Sequence, residues 1–182
     1  MSLLNIMLVG VSGVGKSTFV NSLEGQSDFQ LLSAGSIIKQ RREKLENDIN
    51  RDELRFADIT DNQALLIDGF HDVKNTDALY VILDGHVVID TPTGLQSIAS
   101  DVFKKMGINM FIFLKSEPQQ IKLQRERDTK RQRPRLSVGE LSDHQNLAIE
   151  VMKRIADEID AVYQIVTADQ TKETYENIRN FK

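Results

Sequence analysis

The chain has 182 residues, 40% of them hydrophobic and 27% charged, with a formal net charge of −4. These values suit one soluble domain with a full core, and the acidic balance argues against broad nucleic-acid binding. The absence of cysteine excludes a disulfide framework, a thiolate metal site and a thiol nucleophile; it agrees with a reducing interior, so the expected location is cytoplasmic.

The apolar run Leu3–Val9 is too short to span a bilayer and leads into Gly10 rather than a cleavage site, so it reads as a buried strand, with no membrane association expected. Lys16–Glu24 reads as a helix ended by Gly25, and Phe29–Ala34 as a second strand. Ser36 to about Asp48 is polar and helix-compatible; a further helical region from about Asp52 places Leu66, Phe70 and Val73 near one face. His86–Asp90, apolar and ending in an acid, is expected to be the third strand, with Gly85 closing the helix before it. A helix over Leu95–Met106 capped by Gly107 and a fourth strand at Met110–Leu114 follow. Ser116-Glu117-Pro118-Gln119 predicts a helix start, with Ser116 as cap and Pro118 in the first turn. Leu141, Ala148, Met152, Ile155 and Ile159 form a long amphipathic stripe, before a strand at Val162–Val166 and a terminal helix. Alternation of this kind predicts an α/β domain with a mainly parallel sheet.

Gly10-Val11-Ser12-Gly13-Val14-Gly15-Lys16-Ser17 matches the P-loop pattern G-x-x-x-x-G-K-[ST], after a predicted strand and at the start of a predicted helix. Its glycines let successive backbone amides turn inward at phosphate oxygens, and the helix adds the positive end of its dipole. Gly10, Ser12, Gly13, Val14, Gly15, Lys16, Ser17 and Thr18 are therefore the expected nucleotide-binding residues, with ATP and Mg²⁺ as ligands. Lys16 is expected at the β- and γ-phosphates, and Ser17 on the metal, while Thr18 packs or caps locally. Asp90, at the end of a predicted buried strand, is the candidate for the Mg²⁺ shell, with Asp68 as competitor.

Arg125, Arg127, Lys130, Arg131, Arg133 and Arg135 crowd one short stretch, offset only by Glu126 and Asp128. A charge run is usually a solvated face, but phosphoryl transfer needs cations that close over the transferring group and exclude water. Arg127, Arg131 and Arg133 are accordingly expected in a catalytic lid; the segment has no aromatic residue for stacking on nucleic acid.

Together these motifs resemble the nucleoside monophosphate kinases, in particular the archaeal-type adenylate kinase group. Gly35-Ser36 resembles the turn that opens the monophosphate-binding helix, Arg51-Asp52-Glu53-Leu54-Arg55 the family's R-D-x-x-R segment, and Val87–Thr91 its V-V-x-D-T strand end. Arg125, Asp128, Arg131 and Arg133 keep the lid spacing R-x-x-D-x-x-R-x-R, and His144-Gln145 is similar to a pair early in the family's next helix. The resemblance implies a three-layer P-loop NTPase fold with a five-stranded, mainly parallel sheet. It further implies a single kinase domain over residues 1–182, an acceptor-binding helical region over about 35–80 and a short lid over about 125–137. It places Lys16, Arg131 and Arg133 on the transferring phosphoryl and Gly35, Lys39, Arg51 and Arg55 on the acceptor side.

The departures are also on the acceptor side. After Asp90-Thr91-Pro92-Thr93-Gly94 the family's G-x-L-P-G-L-P run is missing. The segment around Lys39 lacks a clear counterpart of the arginine that bacterial adenylate kinases place after S-T-G-D-x-x, a role open to Lys39, Arg41 or Arg42, and Asp68-Gly69-Phe70-His71 reads as a coincidental likeness to D-G-F-P-R. The leading expectation is ATP + NMP ⇌ ADP + NDP. The alternatives are a hydroxyl kinase of the shikimate or gluconate type, with an Asp as base, and a regulatory P-loop NTPase.

Overall fold

The computed structural model describes residues 3–23, 25–48, 59–91, 94–128 and 135–181. Strand β1 (Leu4–Val9) is buried at every position and occupies the middle of a five-stranded sheet. Its neighbours are β3 (Tyr80–Asp84) and β6 (Met110–Leu114), with β2 (Phe29–Ser33) and β7 (Val162–Val166) at the edges. The order is β2-β3-β1-β6-β7 and every pairing is parallel, with Leu8 opposite Asp84 on one side and Ile112 on the other.

Alternation along the strands builds two cores. Ile6, Leu8, Ile112 and Leu114 face α1 (Lys16–Asn21), α5 (Pro118–Arg127) and α7 (Thr171–Asn180), through Phe19, Ile121 and Ile178. Met7, Val9, Phe111 and Phe113 face the other way. They meet Ile37 of α2 (Ala34–Asp48), Phe70 of α3 (Ile59–Val73), Phe103 of α4 (Ser100–Met106) and Met152 of α6 (Val138–Glu158). Helices thus cover both faces of a sheet whose central strands are continuous apolar runs, the three-layer arrangement expected.

Three sequence expectations are corrected. The third strand of the sheet is Tyr80–Asp84, whereas β4 (Val88–Thr91) pairs antiparallel with β5 (Gly94–Ser97) in a separate hairpin. Two apolar runs each end in an aspartate. Only the first is buried through its apolar part, whereas burial falls away along β4, as suits a hairpin outside the sheet. The helix expected from Leu95 begins at Ser100, because Leu95–Ser97 is held in that hairpin and Gly94 turns the chain at φ 111°. The cap at Gly107 (φ 66°) stands. Ser116 does not cap α5; Glu117 holds the N-cap position without a side-chain bond, and Pro118 opens the helix. The Ser116 backbone is engaged by Gln145 instead, its N–H donating to Oε1 at 3.1 Å and its carbonyl accepting from Nε2 at 3.0 Å.

Candidate active site

The P-loop follows β1 at the carboxyl end of the sheet, where successive connections leave in opposite directions along the strand order, the usual crevice for ligands in open α/β sheets. The loop must be built from glycine at two positions. A Cβ on Gly10 (φ 154°) would lie 2.7 Å from the Leu114 carbonyl oxygen, and one on Gly13 (φ 91°) would lie 2.6 Å from Arg125 Cγ. Gly15 (φ 104°) then serves as the N-cap of α1. The loop is a close-packed backbone cradle with a helix start beneath it, the geometry that binds phosphate.

Lys16 opens α1 and is 8% exposed. Its Nζ donates to the Gly10 carbonyl at 3.0 Å and lies 3.9 Å from Asp84 Oδ1. An ammonium this buried is stable only among oxygens, and these two hold it across the mouth of the loop. Ser17 and Thr18 are exposed on the same turn, and Val14 is buried beneath the loop with Val11.

Asp84 is a further candidate that the sequence pattern did not single out. It ends β3 beside the P-loop, and it lines a cavity of about 400 Å³ with Ser17, Ser33, Ser36, Ile37 and Gln40. The signal was present in Tyr80-Val81-Ile82-Leu83-Asp84, a V-x-x-D pattern assigned instead to the end of a helix. Asp90 sits exposed on β4, and Asp68 is exposed on α3; neither lies on a strand of the main sheet. In Asp68-Gly69-Phe70-His71, Gly69 and Phe70 are buried inside α3, so the segment packs a helix rather than ending a strand.

Arg125 is the second residue the sequence reading underused. α5 lays its side chain across Gly13, close to the buried imidazole of His144 on α6. Burial pushes the His144 pKa below its ordinary value; the Asp90 carboxylate acts against that shift and the Arg125 guanidinium adds to it. Gln145 beside it, 2% exposed, pins the start of α5 through Ser116 and so fixes the helix that carries Arg125. Arg127 is exposed at the end of α5. Arg131 and Arg133 lie outside the described residues, as do Arg51 and Arg55.

Gly35 and Lys39, expected on the acceptor side, line a second cavity of about 410 Å³ with Ile38, Arg42, Glu43 and Asn62. It opens on the α2 face turned away from the first cavity.

A family model described as an AAA domain matches residues 9–142. The chain belongs to this family. The match takes in the P-loop, both cavities and the basic stretch, and so covers every candidate residue named above except His144 and Gln145. Among curated members of similar sequence, an adenylate kinase of Pyrococcus horikoshii is 27% identical over 146 residues, covering 78% of this chain and 74% of that protein. One of Thermoplasma acidophilum is 27% identical over 148 residues, covering 78% and 76%. The resemblance read from the motifs is thus borne out. Among solved structures, a shikimate kinase from Bacteroides thetaiotaomicron has a TM-score of 0.51 at 18% identity, covering 97% of each chain, a likeness of fold. No helix among the described residues is long and apolar enough to cross a membrane.

Proposed function

We propose that this AAA-domain protein is an ATP-dependent nucleoside monophosphate kinase, transferring the γ-phosphoryl of Mg-ATP to a monophosphate. The observation that carries the reading is the buried Lys16 ammonium between the Gly10 carbonyl and Asp84, at the start of the P-loop helix. The similarity to adenylate kinases over more than three quarters of the chain supports it.

The residues present fit a magnesium–triphosphate complex. Gly10 and Gly13 leave no room for a side chain in the cradle, and Ser17 and Asp84 offer hard oxygen donors beside it, as Mg²⁺ requires. When bound, Mg²⁺ neutralises charge on the β- and γ-oxygens. The loop amides orient the phosphates, and Lys16 exchanges its present oxygen partners for theirs. Arg125 walls the loop at Gly13, and Arg127, Arg131 and Arg133 form the lid that excludes water in this reading. Asp84 takes the metal-side role for which Asp90 and Asp68 were candidates, since it ends the strand next to β1 and stands near Lys16. A monophosphate acceptor is already a nucleophile and needs no general base, so positioning and electrostatics carry the catalysis.

The test is to incubate the protein with Mg-ATP and a panel of NMPs, dNMPs and hydroxyl acceptors, and to follow ADP. Formation dependent on a monophosphate is expected. ADP formation that ignores every acceptor, or that follows only a hydroxyl compound, overturns the proposal.

A further inference from the structure

We infer that the outer edge of β7 pairs with the same edge of a second copy of this chain, antiparallel about a two-fold axis at Gln164, so that the two sheets join into one. This is independent of the kinase reading. The edge lies at the other end of the strand order from the first cavity, which β2 and β3 line.

Among the described residues β7 has one neighbour, β6, in parallel register. The Val162 N–H donates to the Asn109 carbonyl at 3.0 Å, and the Val166 carbonyl accepts from the Lys115 N–H at 2.8 Å. Positions 162, 164 and 166 therefore turn their backbone groups to β6, and Tyr163 and Ile165, in the alternate positions, turn theirs outward. A free edge is normally blunted by a charge, a proline or a bulge, and Val162-Tyr163-Gln164-Ile165-Val166 carries none of these. Val162, Tyr163 and Ile165 are instead 40%, 41% and 38% exposed, apolar surface set side by side along the edge. The opposite edge is different. There β2 is buried at Phe29 and half-buried beyond it, and Gln30 ties it to the Val73 carbonyl and the Asn75 N–H.

The strand is complementary to itself. A two-fold at Gln164 keeps every residue of β7 paired and sets Tyr163 opposite Ile165 of the second copy, and Ile165 opposite its Tyr163. Each of these pairs exchanges two N–H···O bonds, which satisfies the outward backbone groups of both residues. Tyr163 and Ile165 share the sheet face of Phe111 and Phe113, so both pairs set an aromatic ring against a β-branched side chain. Val162 meets Val166 on the other face.

Charge on α6 agrees with this register. Lys153 lies over the Tyr163 ring, 5.9 Å from its centre, and the exposed Glu150 sits one turn earlier on the same side of the helix. The short connection from Glu158 to Val162 makes α6 antiparallel to β7, so stepping back to Glu150 moves toward Ile165. Helix and strand rises then bring Lys153 of one copy to within about 2 Å, measured along the strand, of the level of Glu150 of the other. Opposite charges meet across the axis, which favours a second copy over an unrelated strand.

Sedimentation velocity of the full chain from about 1 to 100 μM, the range in which a modest interface associates, is the test. The wild type is expected to become dimeric at the upper end. Ile165→Pro removes an outward N–H and leaves the β6 ladder intact, and it is expected to be monomeric throughout. Ile165→Lys, which puts a charge on the edge, carries the same expectation and replaces the proline variant should circular dichroism show that one unfolded. Lys153→Glu is expected to weaken the dimer about tenfold, and adding Glu150→Lys to restore it, since the swap rebuilds the pair across the axis. A wild type that stays monomeric at the highest concentration overturns the inference, as does a trimer or an open series of oligomers. A dimer that survives the Ile165 substitutions also overturns it, and so does one that Lys153→Glu leaves unchanged or that the swap fails to restore.

Discussion

Lys16 shows how a buried charge is made ready for a ligand. Its ammonium is 8% exposed and rests on a carbonyl and a carboxylate, so its desolvation is already offset before a phosphate arrives. Lys16→Ala removes the point charge from the transferring group, and kcat is expected to fall by about 10²–10³-fold or more. Asp84→Asn keeps the shape but removes the carboxylate charge facing Lys16 and, with it, the hard oxygen donor proposed for the metal side. Its expected signature is a higher Mg²⁺ concentration for half-maximal rate, together with a lower kcat at saturating Mg-ATP. Steady-state kinetics over a Mg²⁺ series checks both variants. An Asp84→Asn enzyme with an unchanged Mg²⁺ profile would return the metal-side role to another carboxylate, with Asp90 first in line.

At the scale of elements, the second cavity, lined by α2 and by Asn62 of α3, depends on how closely those helices approach. A Cβ on Gly69 would lie 2.4 Å from Ile37 Cγ2 and 3.1 Å from Arg41 Cγ, both on α2. Ile37 is buried and β-branched, so it has no easy rotamer into which to retreat. Gly69→Ala is therefore expected to push the helices apart and to destabilise the fold by about 1–3 kcal/mol despite the gain in helix propensity. Urea unfolding measures it. The same crossing explains what the sequence could and could not disclose. The P-loop was legible from its fixed letters, β2 and β6 because a glycine (Gly25, Gly107) breaks the chain before each run, and the long α6 because a 3.6-residue stripe of that length has one interpretation. The run Tyr80–Leu83 was not, since a short apolar segment after a helix continues that helix as plausibly as it starts a strand. Misplacing it hid the aspartate that ends the strand next to β1, Asp84, and left Asp90 as the strand-end candidate. Arg125 and the Arg42–Asn62 contact were out of reach for a different reason: both depend on which helices become neighbours, and no local pattern encodes that.

At the scale of the molecule, His144 couples the packing of α6 to pH. The ring is 8% exposed, and among the described residues its Nδ1 has no hydrogen-bond partner. Burial, the largest influence, lowers its pKa from the ordinary 6.5; Arg125 of α5 lowers it further and Asp90 of β4 raises it in part. The folded state therefore prefers the neutral ring. As pH falls through the ordinary histidine range the unfolded chain takes up a proton first, so His144 contributes stability that is complete above about pH 6.5 and declines below it, down to the folded-state pKa. The urea midpoint is expected to drop between pH 7.5 and 5.0, and His144→Gln to make that drop shallower. Asp90→Asn tests the same account from the opposite side. Removing the carboxylate that favours the imidazolium lowers the folded-state pKa further, so the drop on acidification should deepen, and should do so only while His144 is present. A deeper drop in the His144→Gln, Asp90→Asn double variant than in His144→Gln alone would show that Asp90 acts on another group, and the coupling of the hairpin to α6 through this imidazole would be lost.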